Sequence, residues 1–416
     1  MTALRAEGVF KVFGRRPNEA VRRLRDGATR DDVAGLGTAA VIDTTFEVTP
    51  GEIFVVMGLS GSGKSTLIRM LNGLVRPTAG SIMLGEHDLA KVSASELRDI
   101  RRKRVSMVFQ HFALLPHRSV LDNAAFPLEI SGMDKVERRR KAAEALGMVG
   151  LDGWEDSLPS QLSGGMRQRV GLARALAADT DVLLMDEAFS ALDPLIRSEM
   201  QEQLLELQQT LGKTIIFITH DLNEAMHLGD RIAMMRDGRV VQIGTSEQIL
   251  TEPADDYVAT FVADVDRTRV LTAGSVMVRP KAVVFAAAGP HVALRQMREE
   301  QVSAAYVIDR HRKLLGVVRD QDIAAAVHLG PVALVDLTRD EVSAVSTDAL
   351  LAELFAPAAE TPLPVPVVDE RGRLVGVIPR VTLLDAMKPT TAEVAVVPDP
   401  DPEFDDFTLT TTGDPR

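Results

Sequence analysis

The sequence predicts an α/β domain with a mainly parallel sheet, followed by a smaller, internally repeated α+β module. Three observations predict it. Five short, apolar runs, one of them fully so, are spaced among helical patterns, the arrangement of a parallel sheet with crossover helices. A glycine-rich loop sits directly between one of those runs and a helix. After residue 261 the sequence begins to repeat itself at an offset of 60 residues.

Length and composition bound what the chain is. At 416 residues, two or three domains are expected. A formal net charge of -12 argues against a nucleic-acid partner for the chain as a whole. There is no cysteine, so disulfides and thiolate metal sites are excluded. The N-terminal MTALRAEGVFKVFGRR lacks the apolar core of a signal peptide. No apolar run approaches the ~18–20 residues needed to cross a bilayer. The expectation is a soluble chain whose membrane role comes only through a partner.

The first apolar run, IFVVM at 53–57, reads as a strand buried on both faces. GLSGSGKST at 58–66 follows it, and the apolar LIRMLNGL follows the loop. This is G-x-x-x-x-G-K-S in the strand-to-helix context that a phosphate loop needs. Gly58, Gly61 and Gly63 let backbone N–H groups wrap phosphates, Lys64 brings a charge to the β- and γ-phosphates, and Ser65 offers its hydroxyl to Mg²⁺. The other runs are VSMVF (105–109), VLLMD (182–186), TIIFIT (214–219) and RIAMM (231–235). In such a sheet the chemistry gathers at the strands' C-terminal ends. Those ends carry Gln110, Asp186, Glu187 and His220. Asp186 is placed to hold Mg²⁺. Glu187 is placed to activate a water against the γ-phosphate, His220 to sense that phosphate, and the Gln110 amide to reach the cation or the water.

A second phosphate-like site appears at 162–176, LSGGMRQRVGLARAL. Ser-Gly-Gly opens a helix, which suits an anion, but no lysine follows.

Together these residues resemble the ATP-binding cassette ATPases of ABC transporters over about residues 4–262. The ordered motifs are Walker A GLSGSGKST, the Q-loop at Gln110, the signature LSGGM, Walker B VLLMDE, the D-loop SALD at 190–193 and the switch His220. The resemblance implies a nucleotide-binding domain with a helical signature subdomain. It implies that Ser60, Ser62 and Thr66 join the phosphate loop in binding ATP, that Asp193 serves the same site, and that Phe13, with Phe10 nearby, stacks on adenine. It also implies a head-to-tail homodimer, in which Ser163, Gly164 and Gly165 close on ATP held by the partner's Lys64. Mg²⁺ would be held by Ser65, Gln110 and Asp186. The stretch VFQHFALLPHRSVLDNAAFP is similar to importer cassettes, where it contacts the permease. Methionine at 166 replaces the usual signature glutamine and resembles the glycine betaine/quaternary-amine importers. So does an arginine-rich amphipathic insertion over about 14–38, read here as a docking element.

Past the cassette, placed at 1–265, AYVIDRHRKLLGVVRDQDI (305–323) aligns with VPVVDERGRLVGVIPRVTL (365–383). The pairs Asp309/Asp369, Lys313/Arg373 and Gly316/Gly376 match. The repeats, placed at 266–328 and 329–388, resemble a tandem CBS pair, a regulatory module. Of the ribose-gripping pattern, the first repeat keeps Gly316 and Asp322 but has Arg319 where Thr or Ser is usual, and the second has Pro379 and Thr382. A cyclic dinucleotide or ionic-strength sensing stays open. Arg295, Arg298, Arg310, Arg312, Lys313 and Arg319 are read either as a solvated face or as a basic patch for anionic lipid or a nucleotide. The tail at 389–416 is acidic and proline-rich, a composition of disorder.

The expected function is the ATPase subunit of an importer for glycine betaine or a related compatible solute. It would sit at the cytoplasmic face of the membrane beside a permease, served indirectly by a substrate-binding protein. An importer for another amine or amino acid, a soluble ABC ATPase and a nucleotide sensor with vestigial hydrolysis remain as alternatives.

Overall fold

The computed structural model describes residues 3–110, 112–327 and 332–387. The tail lies outside the described residues. A six-stranded sheet runs in the order Arg239–Gly244, Arg231–Arg236, Ile53–Met57, Thr214–Thr219, Val182–Asp186 and Val105–Val108. All pairings are parallel except the outermost one, between Arg231–Arg236 and Arg239–Gly244. Strands such as Ile53–Met57 and Thr214–Thr219 are buried along their whole length, because helices cover one face while helix Lys64–Leu71 and a second sheet cover the other. That is why they read as unbroken apolar runs rather than alternating ones.

A second, antiparallel sheet of four strands, Gly37–Val48, Leu4–Gly14, Ala79–Leu84 and His87–Asp88, packs beside it. Phe46 from this sheet stacks on Phe54 of the first at 5.0 Å between ring centroids. The insertion is a helix, Pro17–Arg25, with proline in its first turn. Ala20, Val21, Leu24 and Val33 bury against Phe10, Val12, Ala39 and Ile42 and form a small core of their own. Arg15, Arg16, Arg22, Arg23 and Arg25 stay exposed. The apolar face of the insertion is thus already satisfied within the chain, and only its basic face is free for a partner.

The helical subdomain is built from helices Val120–Ala124, Phe126–Ile130, Lys135–Met148 and Gly164–Ala177. Their apolar faces share one core with one face of the parallel sheet.

Beyond the cassette stand two three-stranded sheets, Val283–Phe285 with Ala304–Ile308 and Leu314–Arg319, and Val345–Ser346 with Val365–Val368 and Leu374–Ile378. In each, the first pair is parallel and the second antiparallel. The 60-residue offset holds to the register. Val307 faces Gly316 and Val367 faces Gly376, and each ladder shifts at the next pair. The two repeats meet symmetrically: the Leu314 N–H donates to Gly372 O at 3.1 Å, and the Leu374 N–H donates to Arg312 O at 3.0 Å.

The ranges 266–328 and 329–388 do not each enclose one core. Leu271 and Ala273 bury with Leu351, Leu354, Val367 and Leu383 of the second repeat. Leu334 buries with Val284, Met297 and Val307 of the first. Each repeat therefore lends its leading segment to the other.

Candidate functional site

The phosphate loop is shaped by two glycines that nothing else could replace. A Cβ on Gly58 (φ +152°) would stand 2.2 Å from the Met235 carbonyl oxygen. One on Gly63 (φ +106°) would stand 2.2 Å from that of Ala40. Gly63 caps helix Lys64–Leu71, whose free N–H groups point into the loop. The Lys64 ammonium folds back inside it and donates to the carbonyls of Gly58 at 2.7 Å and Leu59 at 3.1 Å. Burial pushes that lysine below its ordinary range, while the Glu187 and Asp186 carboxylates pull it back up. An anion entering the loop would meet a desolvated, poorly paired cation.

Asp186 ends its strand half-buried. Burial, and then the charge of Glu187, push its carboxyl above the ordinary range; Arg69 and Lys64 oppose this. Glu187 turns away at a left-handed φ of +45°, which costs strain for a side chain of this type, and its N–H is tied to Ile218 O at 2.9 Å. Its Oε2 lies 3.2 Å from Gln110 Nε2, which donates to it, and 3.2 Å from His220 Nδ1. The ends of three parallel strands thus converge on one carboxylate. Among the described residues no cluster of three or more His, Asp or Glu forms a metal cage. The oxygen donors present, the exposed Ser65 hydroxyl, the Asp186 carboxylate and the Gln110 amide oxygen, suit Mg²⁺, which needs few protein ligands beside phosphates and water.

The remaining expected residues are placed unevenly. Ser60 and Ser65 are exposed at the loop and Thr66 is half-buried behind it. Ser62 differs: its hydroxyl is buried without a partner and is not presented at the loop's surface. Phe13 is 46% exposed and flanked by the Lys11 ammonium at 4.8 Å from its ring, free to stack on a base. Phe10 is 1% exposed beneath the insertion and cannot do so. Phe13→Ala is therefore expected to weaken ATP binding about tenfold with an unchanged melting temperature, since base stacking is worth ~1–3 kcal/mol. Phe10→Ala should instead cost about 3–5 kcal/mol of stability, read by denaturant unfolding.

The signature forms a helix N-terminus, Gly164–Ala177, capped by the Ser163 hydroxyl, which accepts from the Met166 N–H at 3.2 Å. Met166 packs against the core. No hydrogen bond joins Ser163, Gly164 or Gly165 to the phosphate loop among the described residues. Asp193 is exposed and caps its own helix, Pro194–Leu211, accepting from the Ile196 N–H at 3.1 Å. Sequence reasoning missed Arg174. Its guanidinium donates to the carbonyls of Ala113 (2.6 Å) and Phe112 (2.9 Å) and fastens the signature helix to the segment after Gln110.

The family model described as ABC transporter matches residues 41–190, and that described as CBS domain matches 273–329. Over 386 residues the chain is 50% identical to the glycine betaine transport ATP-binding protein OpuAA of Bacillus subtilis, covering 92% of each chain. It is 48% identical to the glycine betaine/carnitine transport ATP-binding protein GbuA of Listeria monocytogenes, covering 93% of this chain and 98% of the relative. The chain belongs to the ATP-binding subunits of ABC transporters. Among solved structures, the cassette resembles the dimeric post-hydrolysis state of the ATP-binding cassette MJ0796 bound to ADP and Pi. That match has a TM-score of 0.50 and 32% identity, over 58% of this chain and 98% of that one. The fold is thus an ABC ATPase cassette with a CBS module, and the subunit is an ATPase. No helix among the described residues is long and apolar enough to cross a membrane.

Within the CBS module, Arg319 pairs with Glu341 at 2.8 Å, Glu341 with Arg339 at 3.1 Å, and Arg339 with Asp322 at 2.7 Å. The two positions expected to flank a ribose are therefore tied into one ion-pair chain. Arg339 and Glu341, which complete it, carried no sequence signal. Arg295, on helix Pro290–Glu299, has its own partner in Glu299 at 3.8 Å. Of the six basic residues read as a face or a patch, Arg295 and Arg319 are thus ion-paired.

Proposed function

We propose that this subunit hydrolyses ATP to power import of glycine betaine or a related compatible solute through a separate permease. The observation that carries the ATPase assignment to residues is the Glu187 carboxylate, held between Gln110 and His220 beside the phosphate loop. Lys64 and the loop's backbone N–H groups bind the β- and γ-phosphates. Ser65, Gln110 and Asp186 hold Mg²⁺, which when bound neutralises phosphate charge. Glu187 takes a proton from the attacking water and His220 contacts the γ-phosphate. Ser163 and Gly164 of one cassette close on the phosphate held by the other, which supplies the lysine the signature lacks. Asp193 lies at that interface.

Coupling to a permease is supported by a groove of about 500 Å³ next to the Gln110 segment. Phe109, Phe126, Ile130 and Leu74 give it an apolar lining, with Arg98 and Arg101 also on its walls. The substrate reading rests on relatives that match along both the cassette and the repeats. The repeats gate activity by osmotic state, and the partly exposed ion-pair chain at Arg319–Asp322 is weakened by salt, as ionic-strength sensing needs. The cassettes stand at the cytoplasmic face of the membrane.

The test is co-purification and reconstitution with the chain's own permease and binding protein. ATP-driven uptake of glycine betaine that responds to ionic strength is expected, and Lys64→Ala should abolish it. Uptake of methionine in preference to betaine would replace the substrate. Failure to co-purify with any permease would favour a soluble ATPase.

A further inference from the structure

The turn that follows Glu187 is pinned onto itself. The Glu187 carbonyl accepts from the Ser190 N–H at 3.2 Å and from the Ser190 hydroxyl at 2.9 Å. The Phe189 carbonyl accepts from the Leu192 N–H at 3.1 Å. Phe189 is fully buried and packs on Phe217 of the neighbouring strand, with 5.5 Å between ring centroids. Whatever holds Leu192 therefore also holds Glu187.

Leu192 is held by Arg197, in the first turn of helix Pro194–Leu211. One end of the Arg197 guanidinium donates to the Leu192 carbonyl at 3.2 Å, and the other end to Asp221 Oδ2 at 3.2 Å. Asp221 directly follows His220. Its other oxygen caps helix Leu222–Leu228, accepting from the Asn223 N–H at 3.0 Å, and its own N–H donates to the Thr219 hydroxyl at 2.9 Å. One helical turn beyond Arg197, Gln201 donates to the buried Glu224 at 3.1 Å, and the Thr219 hydroxyl donates to that same carboxylate. His220 thus stands between two fixed residues, on a segment that helix Pro194–Leu211 grips at two points.

These contacts close a ring. It runs from the Glu187 carboxylate to His220 at 3.2 Å, on to Asp221, through Arg197 to Leu192, and back along the turn to Glu187. Glu187 stands at φ +45°, a conformation that persists only where its surroundings over-determine it. The Arg197 Nε is buried with no hydrogen-bond partner, a local cost of a kind tolerated where geometry for function outranks stability.

We propose that Arg197 is a positioning residue for ATP hydrolysis, setting the distance between Glu187 and His220 by tying the segment of one to the segment of the other. This rests on Glu187 and His220 acting at the γ-phosphate. Arg197 works through Leu192 and Asp221 and not on the nucleotide. Leu192 belongs to the D-loop, so a displacement of that loop is passed by Arg197 to His220.

Arg197→Met keeps the apolar stem and removes the guanidinium. In the full chain it is expected to lower kcat for ATP hydrolysis about 10–100-fold with the KM for ATP within about twofold of wild type, because a small misplacement of reacting groups costs that much. Asp221→Asn keeps the helix cap, since asparagine caps as well as aspartate, and loses the charge that Arg197 meets. It should lower kcat in the same way, again at unchanged KM. The double variant should be no slower than the slower single variant. A wild-type kcat in either variant overturns the proposal, as does a raised KM at unchanged kcat. So does an additive loss in the double variant, which makes the two residues independent. If Arg197→Met does not fold, Asp221→Asn decides alone. Wild-type hydrolysis by both Glu187→Gln and His220→Ala fails the reading of the site itself, so the two failures are distinguishable.

Discussion

Glu187→Gln is expected to slow ATP hydrolysis about 10²–10⁴-fold while ATP binding stays near wild type, the loss that follows removal of a positioned general base. The geometry makes this a clean substitution. Glutamine keeps the size of the side chain, and its oxygen can still accept from the Gln110 amide that now donates at 3.2 Å. The left-handed turn at 187 and its backbone hydrogen bond to Ile218 do not depend on the carboxylate. The phosphate-binding side, Lys64 with the glycine-shaped loop, is untouched. Single-turnover hydrolysis alongside equilibrium nucleotide binding separates the two effects. A hydrolysis rate equal to wild type would remove Glu187 from the reaction.

Gly164→Asp is expected to leave the fold intact and to reduce hydrolysis about 100-fold or more. A Cβ at Gly164 meets nothing within 4 Å, and an acidic side chain in the first helical turn is locally favourable. Facing the γ-phosphate of a partner cassette, the same charge is repulsive. Gly165→Ala should behave in the opposite manner. Its Cβ would stand 2.6 Å from Ile196 Cγ2, so about 1–3 kcal/mol of stability is lost to overpacking before any question of catalysis arises. Thermal unfolding and ATPase rates distinguish the two. Mixing Gly164→Asp chains with Lys64→Ala chains should recover activity, because the mixed dimer has one site with both elements intact. No recovery on mixing would argue against a site shared between chains.

The parallel sheet was legible because burial on both faces leaves continuous apolar runs. VLLMD and TIIFIT occupy the observed strands residue for residue. The antiparallel sheet was not legible. Leu4–Gly14 pairs with Gly37–Val48 through three register shifts, which break the two-residue alternation that would have announced it. Among site residues, Gln110, Glu187 and His220 were readable because each follows an apolar strand, and strand ends converge. Motif membership did not reveal orientation. Ser62 belongs to the phosphate loop but turns its hydroxyl inward, and Gly165 belongs to the signature but answers to Ile196. Phe13 was preferred to Phe10 on its place in the motif alone; that the insertion covers Phe10 and leaves Phe13 exposed could not be read from the sequence. Arg174 acts through the carbonyls of Phe112 and Ala113, and Arg339 reaches back to Asp322 of the first repeat, contacts that no local pattern encodes.

The exchange of leading segments between the repeats has a consequence for how the chain is born. As the ribosome delivers it, the cassette can close its core once the residues to about 270 have emerged. Leu271 then waits, because its burial partners run from Leu351 to Leu383. The first repeat likewise lacks Leu334 until synthesis has passed into the second. Neither repeat is a complete folding unit alone, so the module is expected to assemble in one late cooperative step. The joint between ATP site and module is thus among the last parts of the described chain to lock, after the catalytic half already has its shape.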